Sequence, residues 1–250
     1  MLKVNIENIA LKSDNGYYSL LKKINFDLNA GKIYTILGKN GSGKSTLIKS
    51  LTNLLNKNLF SIEGTILFEG KDILVMNHIE LLQIRLNRIR YVFQDAVNSF
   101  DPLKTFDYYF KNSFAGRKQI DELLEYFLLP GYDEISRLYP YEVSGGMAQR
   151  LSTILAFIAQ PDLLILDEPT SGIDYTIANL LLLKLKEYVN EVNRSVLLVT
   201  QDINFAEKVS DEITFLHNRT LSAFENNKDF FAKTDNEQLI DFRKSYEELI

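Results

Sequence analysis

The stretch KIYTILGKNGSGKSTLIKS, residues 32–50, decides the fold. KIYTIL (32–37) is a short β-rich run that empties into GKNGSGKST, and the helical stretch LIKSLTNLL follows. Gly38-Lys39-Asn40-Gly41-Ser42-Gly43-Lys44-Ser45 fits the pattern G-x-x-x-x-G-K-[ST] in full, with Thr46 next in line. Glycines at these places let the backbone wrap closely around a phosphate, so that N–H groups converge on it. A helix starting near Lys44 adds the positive end of its dipole. In such a loop the lysine reaches the β- and γ-phosphates and the serine, here Ser45, ligates Mg²⁺. A plain glycine-rich turn is the alternative, but a strand before and a helix after favour a nucleoside triphosphate site. The loop alone does not say which kind of NTPase it serves.

Working outward, LLILDEPTSGID (163–174) places four apolar residues before Asp167-Glu168. Continuous apolar runs of this kind read as parallel strands buried on both faces. A carboxylate at the carboxyl end of such a strand lies where ligands bind in open α/β sheets. Asp167 suits Mg²⁺, held through water, and Glu168 suits the general base that polarises an attacking water. The competing reading is a helix-capping acidic pair, since Pro169 follows. VLLVTQDINFAEKV (196–209) is a second buried run with a polar tip, Thr200-Gln201-Asp202, before a helical pattern.

The remaining pattern alternates strands with helices, which argues for a mainly parallel sheet. Residues 2–9 and 22–29 read as strands with a turn at Asp14 to Gly16, and GTILFEG (64–70) and RYVFQ (90–94) as further strands. From about 95 to 150 the texture turns aromatic and helical, with QIDELLEYFLL the clearest amphipathic piece. Then come a helix (150–159), a strand (163–167), a helix (176–191), a strand (195–200), a helix (204–209) and a strand (212–216). The tail, 226–250, is polar, charged and helical in pattern. The organisation is one domain: a core of about 1–94 and 151–225, a helical subdomain of about 95–150, and the tail.

Bulk composition narrows the function. The 250 residues are 46% hydrophobic and 24% charged, with a formal net charge of -5. Without a basic surplus or basic block there is nothing to hold nucleic acid. With no cysteine there is neither a disulfide framework nor a thiolate metal site. No apolar run spans a bilayer. The chain reads as soluble, docking on a membrane protein.

VSGGMAQR (143–150) names the family through its company. A Ser-Gly-Gly turn before a helix is a good anion site, though such turns are common. Here it lies between Gln94, at a strand end, and the acidic tip. The phosphate loop (38–46), Gln94, the turn Ser144-Gly145-Gly146, the acidic strand (163–168) and the loop Ser171 to Asp174 occur in order. Together they resemble the ABC ATPases over nearly the whole chain. VFQDAVNSFDPL (92–103) and the Gly-Gly-Met-x-Gln-Arg form are similar to the peptide/nickel importer branch, and the short tail is more like its nickel or metallophore members.

The resemblance implies a P-loop NTPase fold of α/β class. It has a mainly parallel sheet, an N-terminal antiparallel β region and an inserted α-helical subdomain. It implies ATP and Mg²⁺ as cofactors, with Ser45, Gln94 and Asp167 on the cation and Glu168, Gln201 and Gln94 as catalytic groups. In this family two ATPase domains face head to tail, and each ATP lies between one phosphate loop and the other chain's signature, here Ser144, Gly145 and Gly146. Implied partners are a second, different ATPase chain, two membrane permease subunits that dock on the helical subdomain at the cytoplasmic face of the membrane, and an extracytoplasmic substrate-binding protein acting indirectly. Within the helical subdomain the aromatic and apolar residues Phe100, Pro102, Leu103, Phe106, Tyr108 and Tyr109 serve either its own core or that docking face.

Two positions depart from the family. The aromatic residue that stacks on adenine aligns with Asn15, with Tyr17 and Tyr18 close but out of register. The switch histidine aligns with Gln201, and His78 and His217 lie elsewhere. A glutamine donates hydrogen bonds but carries no positive charge and shuttles no proton. This suggests an asymmetric heterodimer in which this chain's own site is slow, against the simpler reading that Gln201 is a tolerated substitute. A non-transport ABC ATPase, or a regulatory module that holds ATP without useful turnover, are the alternative functions. Chromosome and repair ATPases of the family carry long coiled coils, and no heptad run is present.

Overall fold

The structure is a computed structural model that describes residues 1–13, 16–113, 115–191 and 193–232. In chain order, β1 (Leu2–Ser13), β2 (Gly16–Leu28) and β3 (Ile33–Leu37) lead to α1 (Lys44–Leu51), β4 (Phe60–Phe68), β5 (Lys71–Asp72), α2 (His78–Asn87) and β6 (Ile89–Val92). The inserted lobe holds α3 (Phe106–Lys111), α4 (Arg117–Tyr126), α5 (Tyr132–Ile135) and the start of α6 (Gly145–Ile158). Then follow β7 (Leu163–Asp167), α7 (Tyr175–Val189), β8 (Ser195–Thr200), α8 (Ile203–Val209), β9 (Glu212–His217), β10 (Thr220–Leu221), β11 (Glu225–Asn226) and α9 (Asn227–Ala232).

Two sheets result. The main sheet runs β10-β9-β3-β8-β7-β6, with β11 also on β9. Its inner pairs, β9-β3, β3-β8, β8-β7 and β7-β6, are parallel. The second sheet, β2-β1-β4-β5, is antiparallel. The expected parallel core with an antiparallel N-terminal region is therefore present.

Side-chain alternation explains how the layers stack. On β7 and β8, Leu164, Leu166, Val196 and Leu198 face α6, α7 and the inserted lobe. Leu163, Ile165, Leu197 and Val199 face the other way, onto Leu47, Ile48 and Leu51 of α1 and the buried face of the antiparallel sheet. That face includes alternate residues of β1, Leu2, Val4 and Ile6, with Lys3, Asn5 and Glu7 outside, and Ile24 of β2 and Ile66 of β4. In the inserted lobe Phe106, Phe110 and Phe127 pack in one cluster with Phe157 of α6, so α6 belongs to both lobes.

Several elements differ from the sequence reading. β1 and β2 pair further, as far as Ser13 with Gly16, because the hairpin keeps its ladder past the last apolar residues. The turn residues 14 and 15 lie outside the described residues. The helix read at 150–159 begins at Gly145, because Ser144 caps it. This moves its first turn into the signature. α2 was not anticipated: Leu81 is its buried residue, so it shows little apolar periodicity, and a capping box of Asn77 and Glu80 starts it. Of the tail, 227–232 is helical as expected, and 233–250 lie outside the described residues. Among the described residues no helix is long and apolar enough to cross a membrane.

One glycine ties the antiparallel sheet together. Gly64 sits opposite Ile6 on β4 with φ 130, where the β1–β4 register shifts. A Cβ there would lie 2.2 Å from the Asn5 carbonyl oxygen. Gly64→Ala is expected to destabilise the protein by about 2–4 kcal/mol through strain and steric overlap. Chemical denaturation checks this, and an unchanged midpoint would contradict the register described.

Candidate functional site

The carboxyl ends of β3, β7 and β8 meet at one edge of the sheet. Leu37 pairs with Thr200 and Asp167 with Val199, so the loops that leave these strands emerge side by side. The loop after β3 is the phosphate loop. Gly43 caps α1 in a left-handed conformation, φ 102, so the chain turns sharply into the helix. The loop after β7 carries Glu168, and the loop after β8 carries Gln201.

Lys44 closes this edge. Its Nζ donates to the carbonyl oxygens of Gly38 at 2.7 Å and Lys39 at 3.2 Å. It also lies 3.1 Å from Glu168 Oε1, with the two side chains only 5% and 9% exposed. Glu168 has an unusual backbone, φ 47, for a residue with a side chain. Its N–H donates to the Val199 carbonyl at 2.9 Å, and its Oε2 accepts from the Gln201 N–H at 3.1 Å. The base candidate is thus aimed by a lysine on one side and by the backbone of the β8 tip on the other.

Asp167, 2% exposed, is held at both oxygens. Ser45 Oγ donates to Oδ1 at 3.1 Å, and the phenol of Tyr91 donates to Oδ2 at 2.7 Å. Burial first, then the neighbouring Asp167, push the Tyr91 phenol well above its ordinary value, so it remains a donor. Ser45, Asp167 and the exposed Gln94 line a single cleft with Lys49 and Asn98. Hydroxyl, carboxylate and amide oxygens suit a hard cation such as Mg²⁺. Among the described residues no cluster of three His, Cys, Asp or Glu side chains forms a metal cage. A cation here needs further oxygens from a ligand, which is the usual situation for Mg²⁺ on phosphates. Among the described residues, buried Ser42 Oγ in the cradle makes no hydrogen bond, which leaves a hydroxyl able to donate to a phosphate.

The signature stands apart. Ser144 and Gly145 are exposed, and Ser144 Oγ accepts from the Met147 N–H at 3.2 Å as the cap of α6. No hydrogen bond or ion pair among the described residues joins Ser144, Gly145 or Gly146 to the phosphate loop. Arg150 anchors this turn to the inserted lobe: Nε donates to Gly146 O at 3.1 Å, and its other arm to Phe127 O at 3.0 Å and Leu128 O at 3.1 Å. Gly146 also abuts the loop after Glu168, where a Cβ would lie 2.9 Å from the Gly172 carbonyl oxygen. That loop ends in Asp174, which caps α7 by accepting from the Ile177 N–H at 3.0 Å.

The structure brings together Lys44, Ser45, Asp167 and Glu168, with Gln94 at the rim of their cleft. Gln201 is exposed beside them, its loop fixed by Asp202, which caps α8 by accepting from the Phe205 N–H at 2.9 Å. His78 opens α2 and His217 stacks on Phe215, so neither reaches the β8 tip. Of the two tyrosines near the adenine position, Tyr17 is exposed, and Tyr18 lies under the Arg219 guanidinium, 4.8 Å from the ring centre. Asn15 lies outside the described residues. Sequence reasoning missed Tyr91. No motif marks it, and only the register of β6 on β7 could have found it.

Comparison with known proteins agrees with this geometry. Residues 21–171 match the family described as ABC transporter. The chain is 30% identical over 226 residues to the oligopeptide transport ATP-binding protein OppD of Haemophilus influenzae, covering 87% of this chain and 70% of that protein. It is 30% identical over 241 residues to the dipeptide transport ATP-binding protein DppD of Bacillus subtilis, covering 92% and 72%. A dimeric ATP-binding cassette in a post-hydrolysis state, bound to ADP and Pi, superposes with a TM-score of 0.73 at 26% identity, over 91% of this chain and 99% of that one. The cbiO1 subunit from Clostridium perfringens, part of the ABC transporter complex cbiONQ, gives 0.71 at 25% identity over 100% and 98%. A phosphate loop closed by Lys44 against an acidic strand tip, in a chain with these relatives, makes this protein an ATPase of the ABC transporter family.

Proposed function

We propose that this chain is the ATP-hydrolysing subunit of a peptide importer. It docks on the cytoplasmic face of the membrane beneath two permease subunits, which an extracytoplasmic binding protein supplies. The observation that carries this reading is the cluster of Lys44, Ser45, Asp167 and Glu168 at the sheet edge, together with a separate, capped and exposed signature turn. The relatives named above are oligopeptide and dipeptide transport proteins, which favours peptide over nickel, cobalt or a metal chelate as the cargo class. The inserted lobe offers a docking face: Phe100 and Phe106 fill its core, while Pro102, Leu103 and Tyr108 remain exposed.

The chemistry follows from the donor set. A triphosphate entering the loop competes with Glu168 for Lys44, which then neutralises the β- and γ-phosphates. Amides of Gly41, Ser42 and Gly43, with Lys39, Asn40 and Thr46 around them, cradle the remaining oxygens. Ser45, Asp167 and Gln94 would hold Mg²⁺, which would supply positive charge against the developing negative charge on the phosphates. Glu168, released from Lys44 and still held by the Gln201 N–H, polarises the attacking water and takes up its proton. Ser144, Gly145 and Gly146 present a helix N-terminus to the nucleotide of a second chain.

Gln201 distinguishes this site. Its backbone aims Glu168, but its neutral side chain supplies hydrogen bonds without charge. The reading is an asymmetric heterodimer: this chain's own site turns over slowly, while its signature completes a competent site on a different partner. Gln201 also favours, as a second reading, a regulatory module that holds ATP without useful turnover. Copurification with integral membrane subunits separates the two.

Two variants test the roles. Glu168→Gln is expected to lower hydrolysis at this site by at least about 10²-fold while ATP stays bound. Cleavage at the wild-type rate would remove Glu168 as the base. Gln201→His in the assembled pair is expected to raise the rate at this site by on the order of 10²-fold or more, the scale of one lost electrostatic contact. An unchanged rate would mean that the native site is not slow.

A further inference from the structure

We infer that Tyr91 is a positioning residue that holds the Asp167 carboxylate for a divalent cation. The inference rests on the reading of Ser45 and Asp167 as the cation side of the ATP site.

Register puts the phenol there. Tyr91 on β6 pairs with Ile165 on β7, two residues before Asp167. Side chains two apart on a strand share a face, so Ile165 and Asp167 point the same way and the phenol leans along that face to the carboxylate. The contact is 2.7 Å from OH to Oδ2, a length typical of a charge-assisted O–H···O⁻ bond.

The two donors on Asp167 differ in kind. Ser45 Oγ, on Oδ1, is itself a cation ligand in the proposed site and must turn its lone pairs to the metal. Among the described residues Tyr91 makes no other hydrogen bond, so its hold on Oδ2 would persist while Oδ1 served the cation. Without it, a carboxylate 2% exposed loses its second donor and the restraint on its rotation.

The ring does not explain the hydroxyl. Tyr91 stacks obliquely on Phe93, with centroids 4.4 Å apart, and lines an apolar groove with Phe100 and Tyr109. A phenylalanine would fill that space equally well. The oxygen matters to Asp167 alone.

The test uses the full chain with Tyr91→Phe, loaded with the non-hydrolysable analogue AMP-PNP. Bound Mn²⁺ is measured by electron paramagnetic resonance, and AMP-PNP affinity is measured separately in EDTA. The expected result is Mn²⁺ affinity lower by about tenfold with the metal-free AMP-PNP affinity unchanged, the scale of one hydrogen bond to a charged group. An unchanged Mn²⁺ affinity, or an equal fall in both affinities as from general loosening, overturns the role of Tyr91. If wild-type AMP-PNP affinity shows no gain on adding Mn²⁺, the reading of Ser45 and Asp167 falls and the inference falls with it. A wild-type gain that Tyr91→Phe leaves intact overturns the inference alone.

Discussion

A lysine and a glutamate share a nearly dry contact at the top of the sheet, Lys44 Nζ to Glu168 Oε1 at 3.1 Å. Removing one partner of a buried pair by mutation typically costs about 3–5 kcal/mol, because nothing replaces the lost contact. The phosphate loop and the acidic strand tip must therefore close on each other, and β3, β7 and β8 must end level. The same contact holds Glu168 in left-handed backbone, a conformation disfavoured for a residue with a Cβ. Strain of this kind survives where the surroundings over-determine it. Here three contacts do so: the Lys44 ion pair, the Val199 carbonyl and the Gln201 N–H. A carboxylate held this way is pre-aimed, and in the proposed mechanism a polyanion that takes Lys44 would release it without moving the strands.

The second anion site obeys a different constraint. Ser144 caps α6 in the open, while Arg150 ties that turn to the end of α4. The close approach of Gly146 to Gly172 links the turn to the loop that leaves Glu168. A side chain at residue 146 would force these two segments apart. The turn thus packs against the loop that follows Glu168 in its own chain while Ser144 and Gly145 stay exposed, as a turn offered to another chain's nucleotide would need.

What the sequence disclosed depended on whether burial left a pattern. β7 and β8 are buried on both faces, so their apolar runs mark their ends to the residue, 163–167 and 195–200. The phosphate loop was legible because glycine spacing is itself the mechanism. Burial was less informative at the periphery. β1 and β2 continue past their apolar residues on backbone pairing alone. α2 hides because one residue, Leu81, is buried, and its capping box was the available signal. The aromatic and apolar residues at 100–109 looked alike in sequence, yet packing buries Phe106 fully and leaves Leu103 82% exposed. Tyr91 and Gly64 take their roles from partners on other strands, which no local pattern reports.

The central claim is that Lys44 exchanges Glu168 for phosphate. A crystal structure of the chain with AMP-PNP and Mg²⁺ measures this directly as the Lys44 Nζ–Glu168 Oε1 separation. This separation is expected to open well beyond 3.1 Å, with Nζ on the β- and γ-phosphates and Glu168 Oε2 still on the Gln201 N–H. Phosphates bound in the loop while Lys44 and Glu168 stay paired would contradict it.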